Sequence, residues 1–430
     1  MTTTSSGAST TSRAPSRLLH PDPVIRRLAA ITLVNTLGNG LFMTLGALYF
    51  TRILGFGAAR VGLGLTAAGL CGVLIGVPAG RVADRWGTKP VLVALVALEA
   101  VGTACYPLVG NFTAFVLLAC AVTAADRGSA TVRNALYAEV LPADRRVAGR
   151  AYLRVVTNVG IGVGTGLAAL ALQADNRGAY TAAILADVAT FAVVTVMYAL
   201  LPTPGRPPHD PAAPAARRTG SALRNRPYLA VAALSGLLGL QFAVIEVGVP
   251  LWIVQHTDAP RVMVSACLIV NTVLVVALQV RATRGTEEPA AAARIFRRGG
   301  LLVTVSCLAF ACAHGLPVWL AVVCLLAGSV LQALGEVLGQ AAGWALGYDL
   351  AEEGAHGEYQ GVFNTGFSAA MMLGPALVTS AVIGHGPVGW VAIAALFAAA
   401  SLAMVPTVGR ALARRAAADV PVRPVATTAA

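Results

Sequence analysis

The sequence predicts an all-α integral membrane protein whose twelve transmembrane helices form two six-helix bundles. Three observations carry this expectation. Of the 430 residues, 57% are hydrophobic and only 12% are Asp, Glu, Lys or Arg. A soluble globular chain has about 45–50% apolar and about 25% charged residues, so these charges are too few to cover a water-facing surface of this size. The apolar residues gather into twelve runs, each near the roughly 20 residues that cross a hydrocarbon core. A Pro- and Arg-rich stretch at 202–227 divides the runs six and six.

Residues 1–25 are rich in Thr, Ser, Ala and Pro and lack the apolar core of a signal peptide, so a disordered cytoplasmic tail is expected. The N-terminal bundle spans 26–201. Its first run, about 26–50, carries two amides, Asn35 and Asn39, which share a helix face. The second, about 60–80, places Gly72, Gly76 and Gly80 four apart, a face of small residues that lets helices approach closely. The third, about 90–109, is broken only by Glu99, and the fourth, about 112–138, contains Asp126, Arg127 and Arg133. The fifth, about 151–173, holds Gly160, Gly162, Gly164 and Gly166. No strand precedes those glycines, so they signal helix packing and not dinucleotide binding. The sixth, about 180–201, carries Asp187.

Residues 202–227 are too polar to span and read as a cytoplasmic linker. The C-terminal bundle, 228–406, opens with a run at about 228–255 that contains Gln241 and Glu246. Runs at about 262–281 and 295–313 follow. The run at about 317–346 carries Gln332, Glu336 and Gln340 as a polar stripe of spacing four. In the run at about 358–384, Gly374-Pro375 predicts a kink. The last run is about 387–406, and 407–430 is expected to be a polar cytoplasmic tail. The runs are too long for strands and lack period-two alternation, so a β-barrel is excluded. Halves of near-equal length around a linker suggest an internal duplication.

Arginine and lysine set the orientation. With the N-terminus cytoplasmic, 25 basic residues fall on the cytoplasmic side and only Arg52, Arg60, Arg177 and Arg261 on the other. Both termini are therefore expected in the cytoplasm. A nucleic-acid binder gathers its basic residues on a polar domain; here they lie between apolar runs despite a net charge of +12, and no nucleic-acid partner is expected. All seven cysteines sit in apolar runs without a CxxC, and the six histidines fall in loops or near span ends, so neither a disulfide framework nor a metal site is expected. No phosphate-binding GxxxxGK[ST] appears, which argues against ATP as the energy source. Thirty arginines against one lysine, Lys89, in an Ala- and Gly-rich chain suggest a GC-rich bacterial genome and hence an inner membrane.

Between the second and third runs the chain reads GRVADRWGTKPVL. This resembles the signature loop of the major facilitator superfamily, G-x-L-A-D-R-x-G-R-K-x-x-L. Gly80, Ala83, Asp84, Arg85, Gly87, Lys89 and Leu92 match, while Val82 and Thr88 depart from it. The resemblance implies that Gly80, Asp84, Arg85, Gly87 and Lys89 act at a cytoplasmic gate, where Asp84 and Arg85 make contacts that break as the halves rock. The equivalent stretch of the second half, QVRATRGTEEP, keeps only Arg281, Arg284 and Gly285, so a one-sided latch is expected. Two signatures of related drug–proton antiporters are weak or missing. Ala119 stands where a span-four arginine is expected, and Thr165 replaces a span-five proline.

Ionisable groups are costly in lipid and mark an aqueous cavity or a partner. The resemblance implies that spans 1, 4, 7 and 10 line the cavity, which favours Asp126, Glu246 and Glu336 and discounts Glu99 and Asp187. Aligning the ends of spans 4 and 10 puts Asp126 and Glu336 at corresponding positions, and a pseudo-twofold would set them facing each other. Asp126, Arg127, Arg133, Glu246 and Glu336 are the proton-coupling candidates, since carboxyls in a low-dielectric cavity are proton carriers. Structural ion pairing is the alternative reading of the same charges. Asn35, Asn39, Gln241, Gln332 and Gln340 are the substrate-cavity candidates, or helix-to-helix glue.

The expectation is thus a monomeric secondary transporter that moves a small molecule across the bilayer by alternating access. Proton-coupled export of an amphipathic compound or drug is favoured, with no cofactor and a proton as the coupling ion. The alternatives are a metabolite facilitator or importer of the same fold, and a non-transporting membrane sensor or scaffold. No nucleophile–base arrangement suggests an enzyme.

Overall fold

Polar residues that prefer to start helices mark several of the boundaries in the computed structural model, which describes residues 21–174, 176–202 and 221–418. Asp22 accepts from the Val24 N–H, with Pro23 beginning α1 (Pro23–Leu48), which ends in a π-helical turn at Tyr49–Ile53. The chain continues through α2 (Ala58–Trp86), α3 (Thr88–Cys105), α4 (Phe112–Val140), α5 (Arg146–Ala174) and α6 (Arg177–Ala199). Asn111 and Asn176 cap α4 and α6 by accepting from Ala114 and Ala179. In the second half, Asn225 caps α7 (Arg226–His256), which contains a π turn at Val244–Gly248. Then come α8 (Val262–Leu278), α9 (Pro289–Cys312) and α10 (Val318–Asp349). The helical stretch His356–Ala418 reverses at Gly386, whose φ of 59° suits glycine alone, giving α11 (356–385) and α12 (387–418).

Nine described helical stretches are long and apolar enough to cross a membrane. One of them is the α11–α12 pair, and α1 and the shorter apolar α8 bring the order to twelve helices in two sets of six. Most of the expected tail at 1–25, the linker core 203–220 and residues 419–430 lie outside the described residues.

Several boundaries differ from the hydropathy reading, always at charged ends. The helix α2 runs through the signature to Trp86, so Asp84 and Arg85 sit in its last turn and Gly87 (φ 97°) is the whole connection to α3. α5 begins at Arg146 and not near 151. α12 extends to Ala418, so the expected polar tail begins as helix. Its Ala-rich sequence favours helix, and Arg415 there donates to the carbonyls of Asp349 and Ala351 at the end of α10 (2.6 and 3.3 Å). Helical dihedrals continue through Gly374-Pro375; the departure comes at Gly386.

Small residues bring helices together, because lipid supplies no hydrophobic drive between them. Alternate glycines of α5 divide by face. A Cβ on Gly160 would strike Thr36 and one on Gly164 the Leu37 carbonyl of α1, whereas Gly162 and Gly166 have open space. Gly164→Leu is therefore expected to lower the unfolding midpoint in detergent, by an overpacking cost of about 1–3 kcal/mol. Gly162→Leu is the control and should leave the midpoint unchanged. Equal effects of the two would refute this packing account.

Candidate functional site

Between the two halves lies a cavity of about 560 Å³. Its two walls differ in chemistry. The first half contributes Asn35 and Asn39 from α1, Glu99 from α3, Asp126, Arg127 and Arg133 from α4, Arg150 and Arg154 from α5, and Asp187 from α6. The second half contributes amides, hydroxyls and rings: Gln241 and Phe242 on α7, Gln340 and Trp344 on α10, and Phe363, Asn364, Phe367 and Ser368 on α11. All the charged side chains lining this cavity thus belong to one half.

The carboxyls form one cluster. Asp126 is 42% exposed and pairs with the adjacent Arg127 at 3.5 Å. Glu99 and Asp187 are 2% and 1% exposed, yet both line the cavity. This corrects the expectation that spans 3 and 6 lie outside it. The physical reason is a gap in α1, where a Cβ on Gly38 would collide with Asp187 and Thr190. The missing side chain lets the α6 carboxyl reach inward. One Glu99 carboxylate oxygen is buried without a hydrogen-bond partner. Arg133 lies within electrostatic range of Tyr137, Tyr198, Asp126 and Glu99.

The second-half candidates fall elsewhere. Glu336 does not face Asp126 across the cavity. It is 3% exposed behind the wall, where it accepts hydrogen bonds from Asn271 on α8 (3.3 Å) and Gln340 (3.0 Å). Gln332 is fully buried; it accepts from Ser306 on α9 and reaches Gln241 on α7. The stripe on α10 therefore splits, with Gln340 on the cavity and its two companions joining helices within the bundle. Glu246 sits on the π turn of α7, exposed and outside the lining.

The cavity is closed at the face carrying the signature residues and most of the arginines, the basic face. Asp84 accepts from the backbone N–H groups of Gly357 (2.7 Å) and Glu358 (2.8 Å), the first turn of α11. A carboxylate there is favoured by the unpaired N–H groups and dipole of a helix start. Arg81 bridges to Glu358 (2.9 Å), and Ser221, within the expected linker stretch, donates to the same carboxylate. Deeper in, Asn134 bonds Asn364 (3.2 Å), Asn364 bonds Thr131 (3.1 Å), and Tyr348 links Arg150 to the Asn134 carbonyl. α2 and α11 meet backbone to backbone: a Cβ on Gly80 would overlap the Gly357 carbonyl, and one on Gly76 that of Gly361.

Of the expected gate residues, Asp84 and Gly80 span the halves directly. Lys89 does not; its ammonium donates to the Leu201 carbonyl (2.8 Å), tying α3 to the end of α6 in its own half. Gly87 forms the turn. Arg85 is exposed at the end of α2. Sequence reasoning missed Arg81, Glu358 and Ser221 at the gate, and Arg150 and Arg154 in the cavity. The last two are among the 25 basic residues assigned to the cytoplasmic side, and the fifth run at about 151–173 leaves Arg150 outside the span. With α5 beginning at Arg146, Arg150, Arg154, Thr157 and Ile161 form one face at spacings of four, three and four. Among the described residues, no three His, Cys, Asp or Glu side chains cluster as metal ligands would.

Comparisons with known proteins agree with this architecture. A family model described as Major Facilitator Superfamily matches residues 28–375. Solved structures of similar fold include the human organic anion transporter TETRAN, with a TM-score of 0.66 and 15% identity over 89% of this chain and 100% of that one. A bacterial homologue of the iron transporter ferroportin, in an outward-facing state, gives 0.66 and 13% over 91% and 100%. The E. coli fucose:proton symporter gives 0.65 and 15% over 89% and 98%. At these identities the likeness is one of fold. No curated protein sequence matches this chain.

Proposed function

The chain belongs to the Major Facilitator Superfamily, a multi-pass membrane transporter and not an enzyme, and from that premise we propose that it couples a proton gradient to the export of an amphipathic small molecule. The observation that carries this reading is the gathering of Glu99, Asp126 and Asp187 on one cavity wall, opposite a wall of rings and amides. Charges are expensive at membrane depth, and three carboxyls around one cavity are hard to explain by packing alone. Protonation removes that cost, and alternating exposure would let the carboxyls load on one side and unload on the other.

The positive-inside rule makes the basic face cytoplasmic, so the described form is shut toward the cytoplasm. In it, a proton from outside reaches the exposed Asp126 first. Rocking of the halves then separates Asp84 from the start of α11 and opens the cavity to the cytoplasm of a bacterial inner membrane. Substrate enters there as the proton leaves.

Reconstitution of the purified protein into liposomes tests this. With a pH-sensitive dye trapped inside, adding a transported compound should move protons only in the presence of the protein. Collapsing the gradient with an ionophore should abolish concentrative transport. Transport at an unchanged rate without any gradient would instead identify a facilitator. No movement of any compound from a broad amphipathic panel would favour a non-transporting role.

A further inference from the structure

The carboxyls on the first-half wall have basic company in Arg127 and Arg133, but Arg150 and Arg154 stand apart. They lie one helical turn from each other on the cavity face of α5, at its basic-face end. Neither makes an ion pair among the described residues. Arg150 stacks on Trp344 of the opposite wall (4.8 Å to the ring centre) and donates one hydrogen bond to the Tyr348 hydroxyl (3.3 Å). Arg154 lies over the ring of Phe242 (5.6 Å), and its Nε is buried without a hydrogen-bond partner. Glu246 and Glu336 act on Arg154 electrostatically but occupy none of its donors.

A guanidinium has five donors in a planar fork that matches a carboxylate or sulfonate. Stacking on a ring satisfies its face and leaves the edge donors unmet. Two such groups side by side, with Trp344 and Phe242 flanking them, combine an anion receptor with aromatic surface. A cation in the same place would meet two positive charges. Resting on the transporter reading above, we propose that the basic-face end of the cavity is an anion subsite. Arg154 and Arg150 take the acid group of an amphipathic aromatic carboxylate or sulfonate, and Trp344 and Phe242 take its ring. The substrate class is then an aromatic organic anion. Because Arg150 also holds Tyr348 at the closure between halves, an anion there competes for a contact that keeps the basic face shut.

Equilibrium binding to the purified full chain in nanodiscs, at fixed pH and without a gradient, tests this with three probes of one shape. These are 1-naphthoate, 1-naphthamide and 1-naphthylmethylammonium. Naphthoate should bind about tenfold or more tighter than naphthamide, with the ammonium weakest. Arg154→Gln should remove that preference while leaving naphthamide binding within about twofold, and Arg154→Lys should restore part of it. Phe242→Leu, which keeps both arginines, should weaken naphthoate and naphthamide together and covers the case in which the arginine variants fail to fold. Equal affinity for all three probes, tightest binding of the ammonium, no binding of any probe, or an Arg154→Gln protein that still prefers naphthoate each overturns the subsite. The outcome is separable from proton coupling: binding at fixed pH without a gradient reads the subsite alone, so a preference for naphthoate stands even if the liposomes show no proton-driven transport, and proton-driven transport of another compound stands even if the preference is missing.

Discussion

Gly80→Leu is expected to hold the halves apart at the basic face and to reduce transport to background. The atoms that an added side chain would meet are the Gly357 carbonyl group and the Glu358 nitrogen. These are backbone atoms in the first turn of a helix, so no rotamer change relieves the clash. The same displacement takes Asp84 away from the N–H groups of Gly357 and Glu358. Overpacking costs about 1–3 kcal/mol, and hydrogen bonds to a charged group contribute about 1.5–3 kcal/mol. Their sum, about 2.5–6 kcal/mol, matches or exceeds the few kcal/mol that separate two conformers, so the closed form should be strongly depopulated. Spin labels placed across the basic face should report a longer distance. Gly62→Leu, on the same helix but with open space around it, is the control. An unchanged distance distribution in the Gly80 variant would defeat the idea that this seam closes the cavity.

Asp126→Asn is expected to uncouple transport from the proton gradient while leaving substrate exchange at equal pH intact. Asp126 is the exposed member of the carboxyl cluster and the one in contact with an arginine, at 3.5 Å. The amide keeps the size and the hydrogen bonding but cannot bind or release a proton. Exchange of labelled for unlabelled substrate needs only alternation, so it should survive; concentrative uptake driven by a pH gradient should not. Glu99→Gln is the second arm, since Glu99 is more deeply buried and lines the same cavity. If both variants still concentrate substrate against a gradient, the cluster is structural.

The fold was legible because a bilayer imposes run length and charge placement so strictly. Helix ends were less so: Arg145, Arg146, Arg150 and Arg154 have no hydropathy signal for helix, although α5 includes the last three. The gate was half legible. Asp84 announces itself through a motif, but its acceptor role is directed at backbone that no motif records. Glu99 and Asp187 were set aside because whether a helix lines a cavity depends on its neighbours, here on the missing side chain at Gly38 of α1. Symmetry of position also misled. Asp126 and Glu336 correspond along the chain, but Asn271 of α8 gives Glu336 a buried partner, whereas Asp126 remains open to the cavity.

One feature of the gate bears on how such a contact drifts over generations. The Asp84 carboxylate grips two peptide N–H groups, which every residue but proline supplies. This part of its grip thus reads a shape and not a letter. Position 357 is constrained to glycine by space, since a Cβ there would meet the Gly80 carbonyl and Asp84 itself, while position 358 can change identity without loosening the grip of Asp84. Across diverged copies of this chain, Asp84 should therefore show no covarying partner at 358, and a search for paired substitutions would pass over this polar tie between the halves.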